Sequence, residues 1–241
     1  RAQGFEGGIK ANLLGDSLQL AVDYYYTKYK NLQVSVYDAP SNAFITTNAG
    51  RSHTQGLEFD GRWLPIPDQD FTIGFTGNLF GDASYDEFNG ASCNQLEAKL
   101  IPAQCAVGVS RNGVALPYSS KWQVGINPNY QFSVESGYRI TLDANLLRNS
   151  GYNDSDQQDP LDHQPAYWRI DTRVALTPEN GPWELAIYGR NLTNTRVLLQ
   201  SQSNFMATTS DPATLRDTWG PNLDFGMTFG AQVTYHLGSE D

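Results

Sequence analysis

The sequence predicts an all-β protein, a transmembrane up-and-down antiparallel β-barrel wall of about nine strands. Three observations lead there. From residue 225 to 237, Phe225, Met227, Phe229, Ala231, Val233, Tyr235 and Leu237 alternate without error with small or polar Gly226, Thr228, Gly230, Gln232, Thr234 and His236. Strand side chains point alternately to opposite faces, so this segment has one apolar face and one wet face. It is about twice a usual globular strand in length, enough for a tilted strand to cross a bilayer. The same alternation recurs along the chain. The connections, finally, alternate between short and long, as in a barrel with one plain rim and one elaborate rim.

In order, a first strand is expected over 5–13, then the tight turn Leu14-Gly15-Asp16-Ser17. The second sets Leu18, Leu20, Val22, Tyr24 and Tyr26 against Gln19, Ala21, Asp23 and Thr27, and could run on to Val36. After a turn at 40–42, the third opposes Leu57, Phe59, Gly61 and Trp63 to Glu58, Asp60 and Arg62. Leu64-Pro65-Ile66-Pro67-Asp68 breaks it, and Phe71, Ile73, Phe75, Gly77 and Leu79 mark the fourth. Residues 86–118 have no sustained period. The fifth strand carries Trp122, Val124 and Ile126, and Pro128, which cannot donate to a ladder, predicts a bulge or an early stop. Beyond Glu135-Ser136-Gly137, the sixth alternates through Tyr138, Ile140, Leu142, Ala144 and Leu146. The polar stretch 149–164 follows. The seventh sets Trp168, Ile170, Thr172, Val174 and Leu176 against Arg169, Asp171 and Arg173, and the eighth starts at Trp183, Leu185 and Ile187. A connection over about 194–222 leads to the closing strand. Short turns thus fall near 14–17, 64–70, 133–137 and 177–182, and long ones near 37–43, 86–118, 149–166 and 194–222.

Composition narrows the function. No run of eighteen apolar residues exists, which excludes a membrane-crossing helix but not a barrel. The sixteen Lys and Arg are scattered singly in a chain of net charge −10, so nucleic acid is not an expected partner. Arg1-Ala2-Gln3-Gly4 is no signal segment, so the mature protein starts here or the chain begins inside something larger. Cys93 and Cys105 share a Gly-, Asn- and Ser-rich segment, where a disulfide would suit an extracytoplasmic compartment. Two free thiols or a partial metal site is the other reading, with too few neighbouring ligands for zinc.

The charges orient the strands. Arg facing lipid at mid-bilayer costs about 2–4 kcal/mol, so the faces bearing Glu58, Asp60, Arg62, Arg169, Asp171 and Arg173 must look into a wet lumen. Pairing between neighbouring strands is the plainer role for each charge, and ligand contact the other. Tyr24, Tyr26, Trp63, Phe71, Trp122, Tyr138, Trp168, Trp183 and Tyr235 sit toward the ends of apolar faces, as an interfacial aromatic belt would.

Several segments resemble the C-terminal half of the barrel of TonB-dependent outer-membrane receptors. They are Asn48-Ala49-Gly50-Arg51-Ser52 leading to Gln55-Gly56-Leu57-Glu58-Phe59, Leu116-Pro117 followed by Lys121-Trp122, Tyr188-Gly189-Arg190-Asn191-Leu192-Thr193-Asn194, and Gly230-Ala231-Gln232-Val233-Thr234-Tyr235. Their order and spacing cover nearly the whole chain. The resemblance implies a barrel of about 22 strands around a globular plug, of which residues 1–241 are the C-terminal part, with the plug absent. It implies a Gram-negative outer membrane and its lipids as surroundings. It also implies active uptake of a scarce small-molecule ligand, a metal chelate (siderophore) or a carbohydrate, energised by the TonB–ExbB–ExbD complex through the missing plug. One departure is the end of the chain, where the family usually places an aromatic residue and this sequence has Leu237-Gly238-Ser239-Glu240-Asp241.

Ligand contact is then expected in the long loops and at lumen-facing charges, with Tyr152, Asp154, Asp156, Arg169, Asp171 and Arg173 as candidates. Enzyme chemistry is not expected: His53, His163 and His236 lie far apart, without a nucleophile elbow or a zinc-binding helix motif. No cofactor or metal site is expected. The acidic stretch Asp154, Asp156, Asp159 and Asp162 lacks the fixed spacing of a calcium loop and reads as solvated. A passive outer-membrane channel with the same wall and a soluble, secreted glycan-binding β-sandwich are the alternatives. Phe229, Val233 and Trp183 packed beneath a second sheet would favour the sandwich.

Overall fold

The computed structural model describes residues 1–38, 43–66, 70–135, 137–203 and 219–237. The expected turn at 40–42, residues 67 and 68 of the strand break, residue 136 and the tail beyond 237 lie outside them, as does the middle of the 194–222 connection.

Thirteen strands are described in chain order: β1 (Ala2–Leu13), β2 (Leu18–Lys30), β3 (Gln33–Asp38), β4 (Ala43–Asn48), β5 (Arg51–Trp63), β6 (Phe71–Glu87), β7 (Gln123–Val134), β8 (Tyr138–Asn153), β9 (His163–Pro178), β10 (Trp183–Arg190), β11 (Leu198–Ser203), β12 (Trp219–Leu223) and β13 (Thr228–Tyr235). Nine form one antiparallel up-and-down sheet in the order β1-β2-β5-β6-β7-β8-β9-β10-β13, which are the nine strands of the sequence reading. The other four make two separate hairpins, β3–β4 between β2 and β5 and β11–β12 between β10 and β13. All four long connections leave one rim and all four short turns the other, because each hairpin of the sheet closes at the short-turn end.

Cross-strand register builds the two faces. Ile9 lies opposite Val22 and Val22 opposite Phe59; Phe75 meets Ile126, Leu142 meets Val174, and Leu185 meets Val233. The apolar rows therefore join into one continuous face. Aromatic rings lie over facing glycines on it: a Cβ on Gly61 would come within 2.3 Å of the Phe75 ring, and one on Gly77 within 2.6 Å of Phe59. Such ring-over-glycine pairs pin the register. Phe229 and Val233 are 72% and 74% exposed, so no second sheet covers them, as a sandwich would require.

Four expectations need correction. Pro128 causes neither bulge nor stop: β7 continues to Val134 in constant register, and only its pairing with β8 lapses around the proline. One missing donor is tolerated because the ladder on both sides of it holds. The polar stretch 149–164 is strand at both ends, since β8 runs to Asn153 and β9 starts at His163. These strands have 16 residues, more than the roughly 9–11 needed to cross, so they rise above the bilayer. The second strand stops at Lys30, and Asn31 turns the chain with φ 55°. The closing strand is shorter than its alternation, running only from Thr228 to Tyr235. Its partner β10 ends at Arg190, so among the described residues Phe225 to Met227 have no strand beside them.

A hood of bolted loops over a charged lumen

The long-loop rim is a built structure. The β6–β7 connection has its own small core of Tyr85, Phe88 and Ala91 against Ala49, with Leu32, Val34, Val109, Val114 and Leu116 around it. A glycine-bearing bulge redirects upper β6: Phe80 has φ 53°, and Tyr85 and Leu116 then form hydrogen bonds across to residues 114 and 83. Cys93 and Cys105 form a disulfide. Between them, helix α1 (Gln95–Leu100) starts with a capping box, in which Glu97 N donates to Asn94 Oδ1 at 2.8 Å and Asn94 N donates to Glu97 Oε2 at 3.0 Å. Arg111, buried, clamps the same Glu97 with two hydrogen bonds of 2.6 Å and donates to the Ser92 carbonyl at 3.0 Å. The Arg111 guanidinium holds the Glu97 carboxyl below its ordinary range.

This unit is tied to its neighbours. Asn94 Nδ2 donates to the Gln157 carbonyl at 3.0 Å, and Tyr118 N to the Asn153 carbonyl at 2.7 Å. The Tyr118 and Tyr152 rings lie 5.6 Å apart, and their hydroxyls donate to the Leu199 and Leu198 carbonyls at 2.8 and 2.7 Å. Leu198 N donates to Gln164 Oε1 at 2.7 Å. Three connections therefore meet as one hood.

The predicted ligand residues separate into three groups. Tyr152 and Asp154 stand together in the hood, with Tyr152 spending its hydroxyl on the β11 backbone. Asp154 is buried, accepts from Ser201 N and lies 2.8 Å from Ser201 Oγ, which is also 2.6 Å from Asp162 Oδ1. Asp156 lies nearby within reach of the Arg111 charge; burial raises its carboxyl pKa and Arg111 opposes that. The second group is at the lumen mouth. Arg169 pairs with Asp224 and lies 3.9 Å from Asp171, which accepts from Asn191 N at 2.6 Å. Arg173 is apart from both, four residues further down β9. It pairs with Glu184 and, at 3.5 Å, with Asp143, which also accepts from Asn129 at 2.5 Å. These pairs tie it to Asp143 on β8 and Glu184 on β10. The acidic stretch does not converge on one point: Asp159 caps the 3-10 turn at Pro160–Asp162, while Asp154 and Asp162 engage Ser201.

Ser201, Asp224, Asn191 and the Arg111–Glu97 clamp are absent from the sequence-derived candidates. Ser201 and Asp224 carry no local pattern, and only tertiary approach across 47 and 55 residues gives them partners. Asn191 had a signal in the Asn-Leu-Thr-Asn motif, where both asparagines take a left-handed φ of 51°, a conformation asparagine tolerates better than most residues.

Ser201 Oγ carries one hydrogen yet approaches two buried carboxylates, so one further proton must sit among the three groups. Burial raises the Asp154 pKa, the Asp162 charge adds to this, and the Ser201 hydrogen bonds oppose it. Tyr118 and Tyr152 are the other titratable groups against Asp154. Between the ordinary carboxylate value and the raised one, the docked loop keeps a proton that the undocked loop has shed. Docking is therefore full below the ordinary value and weakens as pH rises through the raised one. Amide exchange at residues 198–203, corrected for intrinsic rates, is expected to quicken across that window, and Asp154→Asn is expected to flatten the profile. A wild-type profile that falls with pH would contradict the shared proton.

A nine-stranded meander with an uncovered apolar face, a charged opposite face and one rim of elaborated loops defines a piece of outer-membrane β-barrel wall. The family model described as TonB dependent receptor-like, beta-barrel matches residues 1–192, and the chain belongs to that family. It lies in the outer membrane of a Gram-negative bacterium. Comparison with curated protein sequences yields no match. Among solved structures, the ferric yersiniabactin uptake receptor FyuA from Yersinia pestis is similar at TM-score 0.67 and 15% identity, over 96% of this chain and 29% of that one. The copper transporter OprC is similar at 0.62 and 12%, over 97% and 31%. BauA, the ferric preacinetobactin receptor from Acinetobacter baumannii, is similar at 0.60 and 15%, over 96% and 29%. The chain thus spans under a third of each of these structures.

Proposed function

We propose that this chain is the C-terminal part of the barrel of an active-transport receptor. It takes up a scarce ligand, a metal chelate or a carbohydrate, with energy from the TonB–ExbB–ExbD complex acting through a plug encoded upstream. The observation that carries this reading is the bolted hood. A passive pore needs an open mouth, whereas capture of a dilute solute needs loops already ordered, so that little entropy is lost on binding. The printed names of FyuA, BauA and OprC weigh toward a metal chelate or metal as cargo. The lumen wall supports the plug. Asp23 lies directly opposite Glu58, with Asp60 beside them, and no ion pair reaches these three among the described residues. Like charges in register are unfavourable alone, and basic plug residues would neutralise them. Tyr152, Asp154, Asp156, Arg169 and Asp171 are the proposed contact region, with Arg173 as its structural support.

The full-length receptor, expressed in a strain lacking its own iron receptors, should accumulate radioiron from one of a panel of catecholate, hydroxamate or carboxylate chelates. Accumulation is expected to stop when a protonophore collapses the proton-motive force. Uptake that continues after collapse would make the protein a passive channel. Growth on glycans but on no iron chelate would assign a carbohydrate cargo.

A further inference from the structure

A single histidine fastens the foot of the hood to the wall. His53 projects outward from β5, about 7 Å above the Tyr26–Gln55 pair at the aromatic belt, and so outside the hydrocarbon. Its Nδ1 lies 2.6 Å from Asp86 Oδ1 and its Nε2 lies 3.3 Å from Asp82 Oδ2, in a side chain only 16% exposed. Gln55 Nε2 donates to the same Asp82 oxygen at 3.1 Å, and the Tyr24 hydroxyl donates to Gln55 Oε1 at 3.1 Å. One hydrogen-bonded chain thus climbs from the belt to Asp86.

Asp82 and Asp86 belong to a separate part of β6. A register shift between Gln55 and Leu57, opposite Phe80, divides residues 82–87 from the lower strand, and the ladder with β7 stops at Asn78. Above that point β6 pairs with its own connection: Leu116 N donates to the Ala83 carbonyl at 2.8 Å and Tyr85 N to the Val114 carbonyl at 3.0 Å. Tyr85 and Phe88 then enter the small core. Upper β6 is therefore the stem of the β6–β7 unit, and β5 is the main-sheet strand with which it stays paired.

A neutral imidazole offers one N–H and one lone pair, whereas ionised carboxylates only accept. Contacts at both ring nitrogens require one further proton among the three groups, and the imidazole is the most basic of them. From β2, the Tyr26 ring stacks on His53 at 6.1 Å, and Lys28 lies opposite it and disfavours a second positive charge. Arg51, the next outward residue of β5, is engaged by Glu87 at 2.9 Å. Partial burial opposes the charged ring, but the hydrogen bonds and charges of Asp86 and Asp82 outweigh it and hold the His53 pKa above its ordinary value.

We infer that His53 is a proton-operated bolt, whose imidazolium ties Asp82 and Asp86 of the hood stem to β5 and whose deprotonation releases the stem. With the proton gone, one ring nitrogen turns a lone pair toward a carboxylate, so a bond is lost and a repulsion takes its place. The clasp is complete below the ordinary imidazole value and is lost as pH rises through the raised one. The long-loop rim faces the cell exterior, so order in the hood follows external pH. The inference concerns loop order and not cargo, so either it or the uptake reading can fail without the other.

The test uses the full-length receptor in detergent micelles with isotopically labelled histidines. The ring signal missing from His53→Gln identifies His53, and at about pH 7 it should show both nitrogens protonated. Amide exchange at residues 82–87, corrected for intrinsic rates, should quicken about tenfold between about pH 6 and pH 9, as loss of a bond to a charged group predicts. Residues 124–132 of β7 should not change. His53→Gln should exchange at the faster rate throughout, and Asp86→Asn should move the His53 titration down by about one pH unit. Heat-modifiable migration checks that each barrel is folded. If His53→Gln does not fold, the signal that Asp86→Asn shifts identifies His53 instead, and the wild-type exchange profile is read with it. A ring with one protonated nitrogen at neutral pH, exchange at 82–87 that ignores pH, or an equal pH response in His53→Gln would overturn the inference.

Discussion

Arg111→Met is expected to dismantle the β6–β7 hood unit at a cost of about 3–5 kcal/mol, while the nine-stranded wall stays intact. Arg111 is 5% exposed and makes two 2.6 Å bonds to a carboxylate that also closes the α1 capping box. Removing the cation leaves Glu97 three-quarters buried without a counter-charge, and α1 loses the residue that orients its cap. Amides over 88–116 should lose on the order of a hundredfold or more in exchange protection. Heat-modifiable migration of the whole receptor should not change. The double variant Arg111→Met with Glu97→Leu should regain much of the loss, because a matched apolar pair replaces a buried ion pair at little cost. Acid should act differently on the two proteins. The Glu97 pKa is lowered in the fold, so its contribution is present above the ordinary carboxylate range and is lost as pH falls through the lowered value. Wild type should show this acid loss in the hood and Arg111→Met should not. Undiminished protection in Arg111→Met would mean that the disulfide and small core suffice.

Asn191→Ala should release the connection between β10 and β13, at about 3–4 kcal/mol. Asn191 is 1% exposed with φ 51°. Its Nδ2 donates to the Thr195 and Phe225 carbonyls at 2.8 and 3.0 Å, and its Oδ1 accepts from Thr195 N at 3.1 Å and Thr193 Oγ1 at 3.2 Å. Alanine loses these bonds and also opposes the left-handed backbone. Asn191→Gly loses only the bonds and should be about 1 kcal/mol milder. Proteolysis between residues 191 and 222 in intact cells would read the release. Cleavage of both variants at the wild-type rate would show that Asn191 does not hold the loop.

The two effects differ in what could be read beforehand. The Asn-Leu-Thr-Asn motif was visible as a family feature, but its reason is geometric: the asparagines turn the chain and then tie down Phe225 and Met227. That capture also explains why the alternation of 225–237 overstates the strand. Phe225 keeps its place in the sequence pattern while its backbone is held by a side chain. The Arg111–Glu97 clamp had no pattern at all, since fourteen residues without periodicity separate its partners.

Binary patterning by itself determined the number of main-sheet strands, their order, which face meets lipid and which rim carries the long loops. Each of these depends on period-two alternation and on turn chemistry, which act over a few residues and are written locally. Tertiary structure alone decided where strands end, which charges are already paired, and which loop residues meet. Arg169, Asp171 and Arg173 look equivalent along β9, yet Asp224, Asn191 and Glu184 give them different work. Hydrogen bonds and ion pairs of this kind depend on distances between segments dozens of residues apart, and no local pattern encodes those distances.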